Sequence, residues 1–295
     1  MWCCTFNPEF FINAANGNAQ AVRAQLDEMK GRFDLRPTKP KDGVYGGFGA
    51  IHYAALNGKL STFKELLRSP EEVILVTRRE VSLNGAEVAN CPAKTTALGV
   101  AIIAEKISIV EAFLDHLCRN REDLDEYFSL RGAEQMSDVI IASLANNSTT
   151  KLVLKNELFF SQLLDTVGSD FNPLVIAATF GYPAVATCIF ELLNDDQSCA
   201  IACKLALSHN SKNQLPFQIE PVKNSCNSEG KQISGECNQI IRKITELAVD
   251  YISRSVDASL RAFVYENKSI LDSLKHETDE NTHIDLINEN VSADI

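Results

Sequence analysis

Clustered positive charge is missing from this chain. Its 295 residues include 28 lysines and arginines against 39 aspartates and glutamates, a net charge of -11. Nucleic-acid binding that rests on charge needs Lys and Arg gathered in one place to displace phosphate counterions, and no such block occurs. Long apolar runs are missing as well: none reaches the roughly eighteen residues of a membrane span. The opening residues, MWCCTFNPEF, have neither the basic stretch nor the apolar core of a secretory leader. No G-x-S-x-G, no P-loop, no H-E-x-x-H and no C-x-x-C pair occurs. YGGFGA (Tyr45 to Ala50) is glycine-rich, but no strand-then-helix pattern surrounds it, and it reads as a turn. These absences lead us to expect a cytoplasmic protein that binds no nucleic acid, spans no membrane, needs no cofactor or metal and is not an enzyme.

Hydrophobic residues make up 45% of the chain, enough for a substantial core. The nine cysteines are odd in number and irregularly spaced, which points to free thiols in a reducing compartment. Cys199 and Cys203 stand one helical turn apart, with Cys226 and Cys237 not far away. Zinc tolerates such a spacing, but free cysteine is among the most buried residue types, so burial is the expectation. Acidic charge gathers at the end: Glu266 to Ile295 holds eight acidic and two basic residues.

What recurs is a pair of short helices. In GAIHYAALNGKLSTFKELLRS (Gly49 to Ser69), Ile51, Tyr53, Ala54 and Ala55 form a first helical run. Gly58 stops it, as a residue tolerant of positive φ does. Ser61 is placed to cap a second helix, in which Phe63, Leu66 and Leu67 are spaced three and four apart. The alanines allow two backbones to approach closely. So small a pair cannot bury both its apolar faces and needs copies of itself alongside. Copies are present: NAANGNAQAVRAQLDEM (Asn13 to Met29), TALGVAIIAEKISIVEAFLDH (Thr96 to His116), NPLVIAATFGYPAVATCIFELL (Asn172 to Leu193) and a weaker SDVIIASLANNSTTKLVL (Ser137 to Leu154). In the copy from Thr96 to His116, Ser108 and Glu111 match a capping box. The stop positions are 17, 58, 105, 146 and 181, at intervals of 41, 47, 41 and 35.

The pattern resembles the ankyrin-repeat family, whose unit of about 33 residues begins T-P-L-H-x-A-A and continues helix, glycine, helix. GAIHYAALNG keeps the histidine and both alanines, TALGVAIIAE the threonine and one alanine, and NPLVIAATFG the Pro-Leu and both alanines. The long intervals imply loops inserted between repeats. The resemblance implies an all-α fold: an ankyrin-repeat solenoid of about five helix-turn-helix repeats over 8-195. It also implies a structural hydrogen-bonding role for His52. In that family partners are held by the turn tips and by the exposed end of each first helix. Carried onto this chain, the partner-binding candidates are Leu56, Asn57, Ile103, Thr179 and Phe180. Phe48 and Phe171, on turns leading into repeats, join them as aromatic anchors.

The insertion Pro70 to Thr96 allows a small β-finger or a helix through PEEVILVTRREV. REDLDEYFSL (Arg121 to Leu130) and SCAIACKLALS (Ser198 to Ser208) read as helices, and 209-237 as a polar loop. From about Ser234, apolar residues at three and four (Ile240, Ile241, Ile244, Leu247, Ala248, Tyr251, Ile252, Val256, then Leu260, Phe263 and Val264) predict a helical extension over 196-275. It would cap the last repeat. The polar, acidic 276-295 reads as a flexible tail. The functional expectation is a protein-binding scaffold whose partner is another protein. Irregular repeats with an acidic tail resemble effectors that intracellular bacteria deliver to a host protein through a type IV system. A eukaryotic cytosolic adaptor, and an effector with an enzymatic C-terminal region, are the alternatives.

Overall fold

The computed structural model describes residues 8-29, 47-77, 81-82, 90-129, 137-193, 196-221 and 228-254. The chain is mostly helical. In order, the helices are α1 (Pro8–Asn16), α2 (Ala19–Met29), α3 (Ala50–Leu56), α4 (Leu60–Leu66), α5 (Pro70–Val73), α6 (Ala97–Ile103), α7 (Ile107–Arg119) and α8 (Arg121–Ser129). They continue with α9 (Asp138–Ala145), α10 (Thr150–Leu154), α11 (Phe160–Asp165), α12 (Pro173–Phe180), α13 (Pro183–Leu192), α14 (Asp196–Ala206) and α15 (Ser228–Arg254).

Five of these helices end where a residue turns left-handed. Gly17, Gly58, Glu105, Asn146 and Gly181 have φ of 87, 64, 54, 44 and 71°. That conformation breaks the helical hydrogen-bond ladder and reverses the chain at once. Each turn joins a tightly packed pair: α1 with α2, α3 with α4, α6 with α7, α9 with α10, α12 with α13. The first helices pack in series, α1 on α3, α3 on α6, α6 on α9 and α9 on α12. Among the second helices, α2 packs on α4, α4 on α7, and α10 on α13, with α8 beside α7.

Small residues set the closeness of the first-helix series. Ala54, Ala55, Ala101, Ala142, Ala177 and Ala178 are fully buried. At Gly99 a Cβ would stand 2.6 Å from Thr95 Cγ2 and 2.8 Å from Ile141 Cδ1, so a larger residue there would have to push aside the side chains of Thr95 and of Ile141 on α9. The turns also lean on one another. A Cβ on Gly17 would approach the Lys59 side chain to 3.0 Å, and one on Gly58 that of Lys106 to 3.3 Å. The Ser148 N–H donates to Glu105 Oε1 at 3.2 Å, and Asn147 Nδ2 to the Ile102 carbonyl at 2.7 Å. Polar side chains fasten the opposite ends. The Thr96 hydroxyl accepts from Gly99 N–H and donates to Asp138, whose other oxygen receives the Tyr127 hydroxyl at 2.6 Å. Rings of Phe63, Phe113, Tyr127, Phe128 and Phe159 follow one another at 5.3 to 6.0 Å, linking α4, α7 and α8 to the turn before α11.

Several local expectations change. Ser61 and Ser108 lie inside α4 and α7, whose N-caps are Lys59 and Lys106. Each helix begins directly after its left-handed turn, one residue before the serine is reached. The insertion after α4 uses both readings: one helical turn, α5, then β1 (Val81–Ser82) antiparallel to β2 (Asn90–Cys91). The loop expected over 209-237 is shorter, since α15 starts at Ser228. α15 packs on α12, α13 and α14 and buries Cys237, Ile241, Ile244, Ala248 and Ile252, a stripe at three and four. Leu247 and Tyr251 fall outside that stripe and stay exposed. Leu260, Phe263, Val264 and the acidic tail lie outside the described residues.

Candidate functional site

α12 is apolar on every side, and its surroundings explain why. Helices α9, α13, α14 and α15 all pack on it, burying Leu174, Val175, Ile176, Ala177 and Ala178. Its start is fixed by Asn172. The Asn172 Oδ1 accepts the Leu174 N–H at 2.9 Å, while Nδ2 donates to the Leu205 carbonyl and to Ser208 Oγ, both at 2.8 Å. One buried amide therefore caps α12 and ties it to the end of α14. Gly181, at φ 71°, ends the helix.

One long side of α12 remains open. It faces the segment 210-220, and together they enclose a groove of about 600 Å³. The apolar wall is Phe171, Val175, Ile176 and Phe180, with Leu144 at the rim and Thr179 among them. The facing wall is mostly polar: Asn210, Lys212, Gln214, Gln218 and Glu220, with Ile219 among them. This wall is ordered by its own side chains. Asn210 Oδ1 accepts the N–H groups of Lys212 and Gln214, at 3.0 and 2.9 Å, and Gln218 Oε1 accepts that of Leu215 at 2.9 Å. Asp170 latches the wall to the foot of α12. It receives the Ser211 N–H at 3.1 Å and the Ser211 hydroxyl at 2.6 Å. Those two bonds hold the Asp170 carboxyl below its ordinary range.

The two phenylalanines of this groove are unlike the rest of the core. Phe10, Phe48, Phe63, Phe113 and Phe159 are fully buried, whereas Phe171 and Phe180 are 51% and 52% exposed. Phe180 is steadied by stacking on Tyr182, ring centroids 5.6 Å apart. Thr179, also in the lining, turns its hydroxyl back onto the Val175 carbonyl at 2.7 Å.

Of the candidates taken from the sequence, Phe171, Thr179 and Phe180 come together here. Leu56 and Asn57, half-buried and exposed, lie at the end of α3, away from the groove. Phe48 and Ile103 do not belong to a surface. Phe48 packs against the rings of His52 and Tyr53, at 5.4 and 5.7 Å. Ile103 is 6% exposed, because the turn of the following pair closes over the end of α6. The polar wall escaped the sequence reading altogether. Asn210 and Asn213, the latter at φ 59°, signal a tight turn, but nothing local says that the turn docks on α12.

Reactive chemistry elsewhere is subdued. Burial pushes Cys91 and Cys188 up to about 11 and Cys237 up to about 12, and raises Cys203 too, so these thiols stay protonated at neutral pH. His52 Nδ1 accepts the Gly49 N–H at 2.9 Å, a bond that fastens the start of α3. Glu72, fully buried on α5, accepts the Ile51 N–H with Oε2 at 3.1 Å, while Oε1 has no hydrogen-bond partner among the described residues. Among the described residues no three His, Cys, Asp or Glu are grouped to hold a metal ion, and no helix is long and apolar enough to cross a membrane. Set beside known proteins, the chain matches no family, no curated protein and no solved structure.

Proposed function

We propose that this protein is a non-enzymatic binding scaffold, an ankyrin-type stack of helix pairs over 8-195 with a helical cap after it, and that it holds another protein in the groove along α12. The observation that carries the reading is the exposure of Phe171 and Phe180. A half-exposed phenylalanine is unfavourable in water, and two at one groove suit an interface, where large aromatics contribute most per residue. The wall opposite is fastened by Asp170 and Asn210, so the groove needs little ordering on binding, which favours affinity. The five left-handed stops and the serial packing of the first helices support the repeat reading.

The test is comparative capture with crosslinking, using the full chain, the Phe171→Ala/Phe180→Ala double variant and, away from the groove, Asn57→Ala. A partner held by the parent and by Asn57→Ala but lost by the double variant is the expected result. A partner retained by the double variant would overturn the placement of the docking face.

A further inference from the structure

The first helices start in two ways. Thr96, Ser137 and Asn172 stand at the N-caps of α6, α9 and α12, and each accepts an N–H of its own helix with its side chain. The N-cap of α3 is Gly49, which has no side chain to offer. The missing acceptor comes from outside the pair. Glu72 on α5, 21 residues further along, accepts the Ile51 N–H with Oε2 at 3.1 Å. That bond is the carboxyl's whole support: Glu72 is fully buried, and Oε1 has no hydrogen-bond partner among the described residues. A protonated acid is a sufficient cap, since its carbonyl oxygen accepts the N–H. A carboxylate in the same place is a buried charge with a single N–H to stabilise it.

α5 is built to let that charge out. It is a single turn in which Val73 is the other buried residue, so its helix gives up one apolar side chain on lifting away. Beyond it Thr77 donates to the Thr95 carbonyl at 2.9 Å and accepts the Lys94 N–H at 2.7 Å, which fixes the far end of the segment. α5 packs on α3 and α8, and the inward titratable groups of both are otherwise engaged. On α3, His52 Nδ1 holds the Gly49 N–H at 2.9 Å, and Tyr53 packs on Phe11 and Phe48. On α8, Asp123 bonds His116 Nε2 and the Tyr127 hydroxyl donates to Asp138, while the other charged residues are exposed. Burial, and after it the charge of Glu71, raise the Glu72 carboxyl from 4.5 to about 8, against the pull of the Ile51 N–H.

We propose that α5 is a proton-held clasp: it caps α3 while Glu72 is protonated and lifts off, carrying the carboxylate to water, when Glu72 ionises. The clasp is tight in acid and loosens through neutral pH, so the start of α3 responds to pH while the rest of the stack stays folded. His52 acts in the opposite sense, since a proton on Nδ1 breaks its bond from Gly49 and loosens α3 in acid.

The test is amide hydrogen exchange on the full chain, resolved by residue and corrected for the intrinsic effect of pH. Lifting α5 returns Glu72 to its ordinary range, so one proton is released on opening between about pH 5 and 8. Protection of the Ile51 amide should therefore fall about tenfold per pH unit and level off above about pH 8. Ile51 should also exchange at least about tenfold faster than the amides of α12, and dilute urea should speed α12 but not Ile51, the mark of a local opening. Glu72→Gln still accepts from Ile51 and should abolish the slope, whereas Glu71→Gln should keep it. Four results would overturn the proposal: a flat Ile51 profile, exchange of Ile51 in step with α12, a slope that survives in Glu72→Gln, or protection lost in acid, which assigns the response to His52. The first, second and fourth are read on the parent alone, so a Glu72→Gln chain that fails to fold leaves the test standing.

Discussion

The Asp170 carboxylate receives both the backbone N–H and the hydroxyl of Ser211, forty-one residues further along the chain. This pair decides whether the polar wall stands against α12 or swings free. Asp170→Ala should leave the thermal midpoint close to the parent, because the pair is exposed, yet speed hydrogen exchange at the 210-214 amides and weaken binding in the groove. The bonds from Ser211 lower the Asp170 carboxyl, so the latch is intact above the ordinary aspartate range and is lost only as acid protonates it. Unchanged exchange in the variant would show that the wall is held by other contacts.

Asn172 is a second fastening, of a different kind because it is buried. Asn172→Ala deletes a cap to Leu174 and both bonds to the end of α14, leaving the Leu205 carbonyl without that donor. The expected cost is about 2 to 4 kcal/mol, read from denaturant unfolding, with α14 exchanging fastest. A loss below about half a kcal/mol would mean that water replaces the amide without penalty.

Glu72 makes stability depend on pH in an unusual direction for a carboxylate. Burial is the main reason that its carboxyl rises from 4.5 to about 8, with the Ile51 N–H opposing the shift and the neighbouring Glu71 adding to it. Between those values the folded chain keeps a proton that the unfolded chain releases. Stability therefore falls as pH rises through this window, by at most about 1.4 kcal/mol per pH unit, and levels off above the folded value. Glu72→Gln keeps an oxygen for the Ile51 N–H and removes the charge. Its unfolding free energy should be flatter than the parent's between about pH 5 and 8, with the largest gain at the alkaline end. Parallel curves for the two proteins would contradict a buried, protonated Glu72.

Legibility in the sequence followed the range of the forces involved. Gly17, Gly58 and Gly181 announce their turns because a left-handed residue is a local demand, and Glu105 and Asn146 were located by spacing alone even though neither is glycine. The helix starts were misjudged at Ser61 and Ser108 because a hydroxyl one residue inside a helix looks like a cap to local pattern reading. Phe48 and Phe171 could not be told apart. Both lie on turns entering an alanine-rich helix, and what separates them is tertiary packing. Phe48 is fully buried, with the rings of His52 and Tyr53 against it, while Phe171 stays 51% exposed at the groove. The buried Glu72 and the two functions of Asn172 were equally out of reach, since each depends on a partner brought up by packing.

The account turns on Phe171 and Phe180 being held out for a partner rather than serving as core. Denaturant unfolding of Phe171→Ala and Phe180→Ala, run beside binding of the groove's ligand, tests this most directly. The account predicts unfolding free energies within about 1 kcal/mol of the parent, the stack on Tyr182 setting the upper end for Phe180, together with lost binding. A drop of about 3 kcal/mol or more in both, the cost of emptying a core site, would contradict it.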